Sequence, residues 1–178
     1  MGSLDIYHYG CTFDGNYAGS DGGAIFANTS PLKTRVETYG CTFINNQAAG
    51  HGGAVNCDPA SEFLLASDEN GKPAIVKNNV AGQNGGGIFS DNVLGYPGLL
   101  EIAGEVYVSG NVSANGQDDI YVSKSSGLSI GEITSPAGSI GIRFGKAEGG
   151  FVAEFGEGVS LGASPFFANN EGFNWVLK

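Results

Sequence analysis

Two stretches near the start of the chain are almost the same: "YGCTFDGNYAGSDGGAIF" runs from Tyr9 to Phe26, and "YGCTFINNQAAGHGGAV" runs from Tyr39 to Val55. Their cysteines, Cys11 and Cys41, lie 30 positions apart. Repeats of about 20 to 50 residues are typical of solenoids, in which each repeat forms one coil that packs against its neighbours. The duplicated stretch therefore predicts a stacked, elongated fold.

The repeat continues beyond these two copies, with growing differences. The stretches "IVKNNVAGQNGGGIF" (75–89) and "YVSGNVSANGQDDIYV" (107–122) keep the apolar and asparagine positions, but Asp118 and Asp119 replace two glycines in the last copy. Each copy alternates apolar and polar residues until Asn or Gly interrupts, which indicates short strands joined by turns. Further strands are predicted in "KTRVETYG", "EFLLAS", "GLLEIAGEV" and "GLSIGEI", giving about three strands per rung.

We therefore predict an all-β fold, a single-stranded right-handed parallel β-helix (β-solenoid) with about four to five rungs and a C-terminal cap. In this interpretation 1–178 is a single β-helix domain, in which 1–3 are an expression remnant, 7–122 are recognisable rungs, and 123–178 are divergent last rungs and cap. The chain is then a fragment of a longer surface protein. Because a solenoid end exposes open core, we expect aromatic residues to close it, and the candidates are Phe166, Phe167 and Trp175.

Stacking of rungs explains why particular residue types recur. Equivalent side chains would lie about 4.8 Å apart, and inward apolar ladders are expected at Tyr9/Tyr39, Cys11/Cys41 and Phe13/Phe43/Val76/Val108. No disulfide is expected between Cys11 and Cys41, because stacked cysteines point the same way and lie too far apart. Turn asparagines that tolerate left-handed backbone would hydrogen-bond to one another along the axis at Asn16, Asn46, Asn79 and Asn111. Glycine pairs would allow tight corners at Gly22/Gly23, Gly52/Gly53 and Gly85/Gly86.

Composition excludes several classes of partner. The formal net charge is −10, and no basic cluster is present that could follow a phosphate backbone. Nucleic acid and anionic membrane surfaces are therefore not expected to bind. The chain also has no apolar run of about 18 residues, so membrane insertion by this fragment is not expected.

The repeat motif resembles that of a known family. A rung with "CTF-x-x-N" followed by "GGA[IV]" is similar to the repeats of the polymorphic outer-membrane proteins, which are adhesins with F-x-x-N and GGA[ILV] motifs. The later segments "LSIGEITSPAGSIGIRF" and "FFANNEGFNWVLK" resemble the end of β-helix arrays in large surface proteins of gut bacteria and archaea. These resemblances imply a secreted or cell-surface bacterial protein that interacts with a host. They specify no ligand.

An enzyme has to be considered, because parallel β-helices often carry polysaccharide lyases and hydrolases. Such sites need carboxylates that hold calcium beside a base, or two carboxylates that flank a sugar bond. The residues available for these roles are Arg35, Arg143, His8 and His51, together with the acidic pair Asp118 and Asp119. His8 and His51 do not share a position in the repeat, and few carboxylates accompany the acidic pair. We therefore expect no catalytic residues, no cofactor and no metal, although a cation at Asp118 and Asp119 stays an alternative.

The outward residues are the candidate binding site. If Ile25, Val55, Ile88 and Ile120 point inward, strand alternation turns the next residues outward as one stripe: Phe26, Asn56, Phe89 and Tyr121. A parallel flank carries Thr12, Thr42, Ile75 and Tyr107. Aromatic residues at rung spacing can stack on sugars or anchor a protein partner. The alternative is that the loops "NTSPLKTR" (28–35) or "DNVLGYPGLL" (91–100) cover the stripe.

Three functions remain, which differ in class. The first is a non-enzymatic, monomeric module of a bacterial cell-surface adhesin that presents a rigid face to host glycoprotein, glycan or cells. The second is a structural spacer between other domains. The third is a carbohydrate-active β-helix enzyme of the polysaccharide lyase or hydrolase type.

Overall fold

The computed structural model describes residues 3–28, 33–93, 96–97, 99–123, 127–145, 153–155 and 166–168. These residues form strands and turns, and no helix occurs among them. The strands stack as a parallel β-solenoid of about four turns, so the predicted fold class is confirmed.

The first four coils each contribute a long strand followed by shorter ones. The first coil contains β1 (Ser3–Tyr9), β2 (Thr12–Asp14), β3 (Tyr17–Ala18) and β4 (Ile25–Ala27). The second contains β5 (Lys33–Tyr39), β6 (Thr42–Ile44), β7 (Gln47–Ala48) and β8 (Val55–Cys57). The third contains β9 (Glu62–Ala66), β10 (Ala74–Lys77), β11 (Val80–Ala81) and β12 (Ile88–Ser90), followed by the hairpin β13 (Asn92–Val93) and β14 (Tyr96–Pro97).

The later coils are less regular. The fourth contains β15 (Leu99–Gly104), β16 (Val106–Ser109), β17 (Val112–Ser113), β18 (Gly116–Gln117) and β19 (Ile120–Val122). After it come β20 (Gly127–Ile133), β21 (Ile140–Phe144), β22 (Ala153–Phe155) and β23 (Phe166–Ala168). The four strands predicted between the repeats correspond to β5, β9, β15 and β20. Each regular coil has four strands rather than about three, because β3, β7 and β11 are only two residues long and leave no period-two signal.

Three sheets run along the solenoid. Sheet A has the order β1-β5-β9-β15-β20-β22, and sheet C has the order β18-β17-β11-β7-β3. Sheet B is continuous from β2 through β6, β10, β16, β21, β19, β12 and β8 to β4, and β23 pairs with β21. In the first four coils the chain leaves sheet B, forms its sheet C strand and returns. We call this side excursion the lobe.

The core consists of stacked apolar side chains, as the repeat predicted. Phe13 and Phe43 stack with ring centroids 4.6 Å apart and 3° between their planes. Val76 and Val108 continue this ladder in register and are fully buried. Cys11, Cys41 and Cys57 are free thiols. Burial raises the pKa of the Cys57 thiol to about 12, so this cysteine behaves as a small apolar side chain.

The expectation that Tyr9 and Tyr39 point inward is wrong. Their rings stack on each other at 5.1 Å, but Tyr9 is 66% exposed. The reason is a left-handed residue, Gly10 or Gly40, between each tyrosine and the following cysteine, with φ of 61° and 59°. This residue kinks the chain, so the alternation of inward and outward side chains does not continue across it.

Asparagines form the predicted ladder inside the lobe. Each Nδ2 donates to the Oδ1 of the next rung's residue, at 2.8 Å for Asn16 to Asn46, 2.9 Å for Asn46 to Asn79 and 2.8 Å for Asn79 to Asn111. The left-handed backbone, however, lies one residue earlier, at Gly15, Asn45, Asn78 and Gly110. The ladder asparagines are therefore selected for their side-chain hydrogen bonds.

The two glycines of each pair have different roles. The first, as in Gly52, has a φ of 65°, which favours glycine. The second is too close to the adjacent rung for any side chain, since a Cβ on Gly53 would lie 2.0 Å from the carbonyl oxygen of Gly86. The pair therefore combines a tight turn with a close contact between coils.

The fifth coil, which contains β20 and β21, has no lobe. In β21, Ile140 pairs with Val108 and Ile142 pairs with Ile120, so only Gly141 separates the two contacts. The fourth coil places the whole of 109–119 between the same two positions. The cap candidates Phe166 and Phe167 lie in β23, which pairs with β21, whereas Trp175 is outside the described residues. The predicted domain boundaries stay a prediction.

Candidate functional site

The predicted outward stripe is one column across β4, β8, β12 and β19. Phe26, Asn56, Phe89 and Tyr121 are register neighbours in successive coils. Their exposure differs sharply, because Phe26 is 48% exposed whereas Phe89 is 6% and Asn56 is 2% exposed. Tyr121 is partly buried. Phe26 is therefore the most exposed ring of the stripe.

Phe89 is covered by stacking along the solenoid axis. The imidazole of His51 lies 4.2 Å from its ring centroid, and Tyr121 stacks at 5.4 Å with 2° between the ring planes. The guanidinium of Arg143 then lies 4.5 Å from the centroid of Tyr121. We call His51, Phe89, Tyr121 and Arg143 the aromatic column.

The aromatic column cannot act as a flat platform for sugars. Rings that stack along the axis turn their faces toward each other and leave only edges for solvent, whereas a sugar packs on an open face. Strand alternation predicts that Phe89 lies on the outer side. It cannot predict that His51, which belongs to the preceding coil, covers the Phe89 ring.

His51 also explains why Asn56 can interrupt the row of aromatic residues. The short Asn56 side chain cannot cover Phe89, and His51 of the same rung stacks there instead. Two atoms at this point are buried without a hydrogen-bond partner, Asn56 Oδ1 and His51 Nδ1. An unpaired buried polar atom costs about 1–3 kcal/mol, so this position is a local weakness in the packing of the column.

Carboxylates adjoin this position. Asp58 and Asp91 are neighbours in adjacent rungs, because backbone hydrogen bonds of sheet B continue one residue past β8 and β12. Asp21 extends from the lobe, where its Oδ1 accepts a 2.6 Å hydrogen bond from the backbone N–H of His51. Burial raises the pKa of Asp58, and the charges of Asp21 and Asp91 raise it further. No described residue forms a hydrogen bond or ion pair with the Asp58 carboxylate.

Asp118 and Asp119 terminate the lobe of the fourth coil. Asp119 Oδ1 accepts hydrogen bonds from the backbone N and the Nδ2 of Asn111, at 2.8 and 2.9 Å, and so replaces the next asparagine of the ladder. Asp118 Oδ2 accepts the Gly85 N–H at 2.8 Å, and the carboxylate forms an ion pair with Arg143. Both are fully buried. The acidic pair is therefore engaged in closing the stack, and this use explains its presence without a bound cation.

Arg35 lies at the centre of an ionic network on the outer face of sheet A. It pairs with Glu37 on its own strand, with Glu62 at 2.8 Å and with Glu101 at 2.7 Å. The hydrogen bonds from Arg35 and Tyr39 lower the pKa of Glu37. The hydrogen bonds to Glu37, Glu62 and Glu101 raise the pKa of Arg35, so the guanidinium stays protonated and does not suit the role of a catalytic base.

Asp58, Asp91 and the glutamates around Arg35 are not among the residues that the sequence pattern predicts for a site. A signal for the aspartates was present, because extending the stripe register by two residues aligns Asn28, Asp58, Asp91 and Ser123. The Arg35 network carried no such signal. Glu62 and Glu101 lie on other coils than Arg35, and the separations between coils differ by a few residues from one repeat to the next.

Phe89→Ala is expected to destabilise the protein by about 3 kcal/mol, close to the loss for Ile88→Ala, because both side chains are buried. Phe26→Ala serves as the matched control from the same column. It should cost under about 1 kcal/mol, because its ring is half exposed. Thermal unfolding of the three variants measures the contrast. A loss for Phe89→Ala as small as that for Phe26→Ala would contradict the stacked arrangement.

Two kinds of feature are not found among the described residues. Within the described ranges, no group of three or more His, Cys, Asp or Glu side chains is placed to hold a metal ion. The part of the chain that the structure describes also contains no helix of the length and apolarity needed to span a bilayer.

The stacked parallel sheets and the lobes define this chain as a β-solenoid repeat protein with short coils. Residues 10–28 of the first coil and 40–58 of the second coil each match the Chlamydia polymorphic membrane protein repeat. The resemblance seen in the sequence motifs is therefore confirmed for the first two coils. This repeat is one of autotransporter-type surface proteins, which are generally non-enzymatic, and it suggests the outer membrane or cell surface. No curated protein and no solved structure matches the chain.

Proposed function

We propose that the protein is a non-enzymatic module of a bacterial cell-surface adhesin, which presents a rigid face to host glycoprotein, glycan or cells. The observation that carries this proposal is the match of two coils to a repeat of autotransporter-type surface proteins. Rung-to-rung hydrogen bonds and stacked rings make such a scaffold stiff, so groups on its surface are held at fixed spacing.

The engagement of reactive side chains supports binding rather than catalysis. Arg35 is surrounded by three glutamates, Arg143 is paired with Asp118, and His51 stacks on Phe89. A lyase or hydrolase would need such groups directed toward a substrate.

Exposed apolar side chains provide a surface that a partner could cover. Five large ones lie on the first coil: Leu4, Tyr7, Tyr9, Tyr17 and Phe26. Aromatic side chains in such positions are frequent anchors of protein interfaces.

A binding screen of the purified protein against host cells, host glycoproteins and a glycan array tests the proposal. Saturable binding that Tyr9→Ala or Phe26→Ala weakens would support an adhesin. Absence of binding to all three would favour the spacer, which the burial of Phe89 and Asn56 also favours. Release of products from acidic polysaccharides, with and without calcium, would instead indicate an enzyme.

A further inference from the structure

The third coil carries a surface loop that the first two coils lack. Residues 67–73 connect β9 to β10, where the first two coils have only a glycine and a cysteine between the corresponding strands. We call this loop the strap. It folds back over the preceding coils, since a Cβ on Gly40 would lie 3.2 Å from the Asp68 side chain and Lys72 Nζ donates to Gly10 O at 3.0 Å. The strap contributes no strand to the sheets.

The strap contains an asparagine followed by a glycine, Asn70 and Gly71, in a hydrogen-bonded turn. Both residues are exposed, and Gly71 has a φ of 79°. The Gly71 N–H donates to Asp68 O at 3.0 Å. Within the part of the chain that the structure describes, the Asn70 side-chain amide has no hydrogen-bond partner. The amide is therefore free to rotate, and one exposed backbone hydrogen bond restrains the Gly71 nitrogen.

An asparagine before a glycine is prone to lose its side-chain amide, because glycine has no Cβ to shield its own backbone nitrogen. That nitrogen attacks Cγ of the asparagine. The new N–Cγ bond replaces the Cγ–Nδ2 bond, and Nδ2 leaves as ammonia with the proton of the backbone nitrogen. Water then opens the resulting cyclic imide at either of its carbonyl groups, which gives aspartate or isoaspartate. The reaction therefore needs no reagent other than water.

The sequence contains two other asparagine–glycine pairs, and the fold restrains both. In the first, Asn84 Oδ1 accepts a 2.8 Å hydrogen bond from Arg143. The N–H of the following Gly85 donates to Asp118 Oδ2 at 2.8 Å, and both of these residues are buried. Attack by the Gly85 nitrogen would require the end of the lobe stack to open.

The second pair lies at the turn between β17 and β18. Asn115 Nδ2 donates to Gln83 O at 3.1 Å and to Asn84 Oδ1 at 3.0 Å. The following Gly116 pairs with Ser113 across the two strands. Asn115 is exposed, but two side-chain hydrogen bonds would have to break before its Cγ could turn toward the glycine nitrogen.

We propose that the fold directs spontaneous deamidation to Asn70, so that the strap is a modification site. The site is separate from the proposed binding function. Isoaspartate adds one carbon to the main chain, whereas Asp68 Oδ1 now accepts the backbone N–H groups of Asn70 and Lys72 at 2.9 and 2.8 Å. Conversion therefore disrupts the turn and adds a negative charge to the strap, while the ladders stay intact.

Incubation of the folded protein at mildly alkaline pH, followed by peptide mapping with mass spectrometry, tests the proposal. Acid should appear at Asn70 about tenfold faster than at Asn115, because more hydrogen bonds have to break at Asn115. Asn84 should convert more slowly still. Asn70→Gln should show no conversion at this position, because its longer side chain cannot form the same five-membered imide.

The matched control is the same incubation in guanidinium chloride. Unfolding removes the hydrogen bonds that distinguish the three sites, so their rates should become similar. Equal rates at Asn70 and Asn115 in the folded protein would overturn the proposal. A preference for Asn70 that is unchanged in the denatured chain would also overturn it, because the local sequence rather than the fold would then select the site. The test uses no ligand, so its outcome is independent of the binding screen.

Discussion

Asn79→Ala should lower the free energy of unfolding by about 4 kcal/mol, the largest loss that we expect from a single polar side chain. Asn79 is fully buried, and its Nδ2 donates to Phe43 O at 3.0 Å and to Asn111 Oδ1 at 2.8 Å. Its Oδ1 accepts the backbone N and the Nδ2 of Asn46, both at 2.9 Å. Alanine would remove the side-chain acceptor of the Asn46 backbone N–H and would take one hydrogen bond each from Asn46 Nδ2, Asn111 Oδ1 and Phe43 O. Urea unfolding measures the loss.

Asn16→Ala is the matched control for the ladder. Asn16 is exposed, and its side chain donates one ladder bond, to Asn46 Oδ1 at 2.8 Å. Because water can solvate this end, the loss should be about 1 kcal/mol. Equal losses for Asn16→Ala and Asn79→Ala would show that burial of the ladder does not determine its strength.

Gly53→Ala is the second large effect, with an expected loss of about 3 kcal/mol. The added Cβ would lie 2.0 Å from the carbonyl oxygen of Gly86 and 2.7 Å from the backbone of Val80, so two coils would have to separate. Circular dichroism during thermal unfolding would detect the loss as a lower melting temperature.

Gly19→Ala provides the control for the glycine substitution. Gly19 lies in the lobe of the first coil, has nothing within 4 Å of its Cβ position and has no left-handed backbone. Its replacement should leave the free energy of unfolding unchanged or raise it by roughly a few tenths of a kcal/mol, because alanine lowers the conformational entropy of the unfolded chain. Tolerance of Gly53→Ala at the level of Gly19→Ala would contradict the close packing of the coils.

Residue 118 shows why the motif can change in the fourth coil. Asp118 occupies the position of Gly53 and Gly86. Its side chain fits because the fifth coil has no lobe between Ile140 and Ile142, the residues that pair with Val108 and Ile120. The glycine is needed only where another lobe lies next to it. Loss of the glycine pair in the sequence therefore marks the coil at which the lobes end.

Much of the fold could be predicted from the sequence because ladder positions repeat the same residue type. Ile25, Val55, Ile88 and Ile120 align in register as the sequence alignment places them. The outward position of Tyr9 could not be predicted, because counting alternate residues assumes an unbroken strand, whereas Gly10 is left-handed. Local strand rules hold only between such kinks.

The candidate site was less predictable for a different physical reason. The stripe register was available from the sequence, but exposure depends on side chains that arrive from other turns. His51 covers Phe89 from its neighbouring lobe, and Asp21 reaches the same region from the lobe of the first coil. Such contacts involve no repeated spacing, so no periodicity predicts them.

The nearly constant number of residues per coil also has a kinetic consequence. Asn16 and Asn46 are 30 residues apart, Asn46 and Asn79 are 33 apart, and Asn79 and Asn111 are 32 apart. The chain-closure entropy of each new coil is therefore nearly the same wherever it lies in the array. Relative contact order consequently falls as coils are added, since sequence separation stays fixed while length grows. A long array of such coils can fold by successive addition to a formed coil, with no step that becomes harder as the protein lengthens.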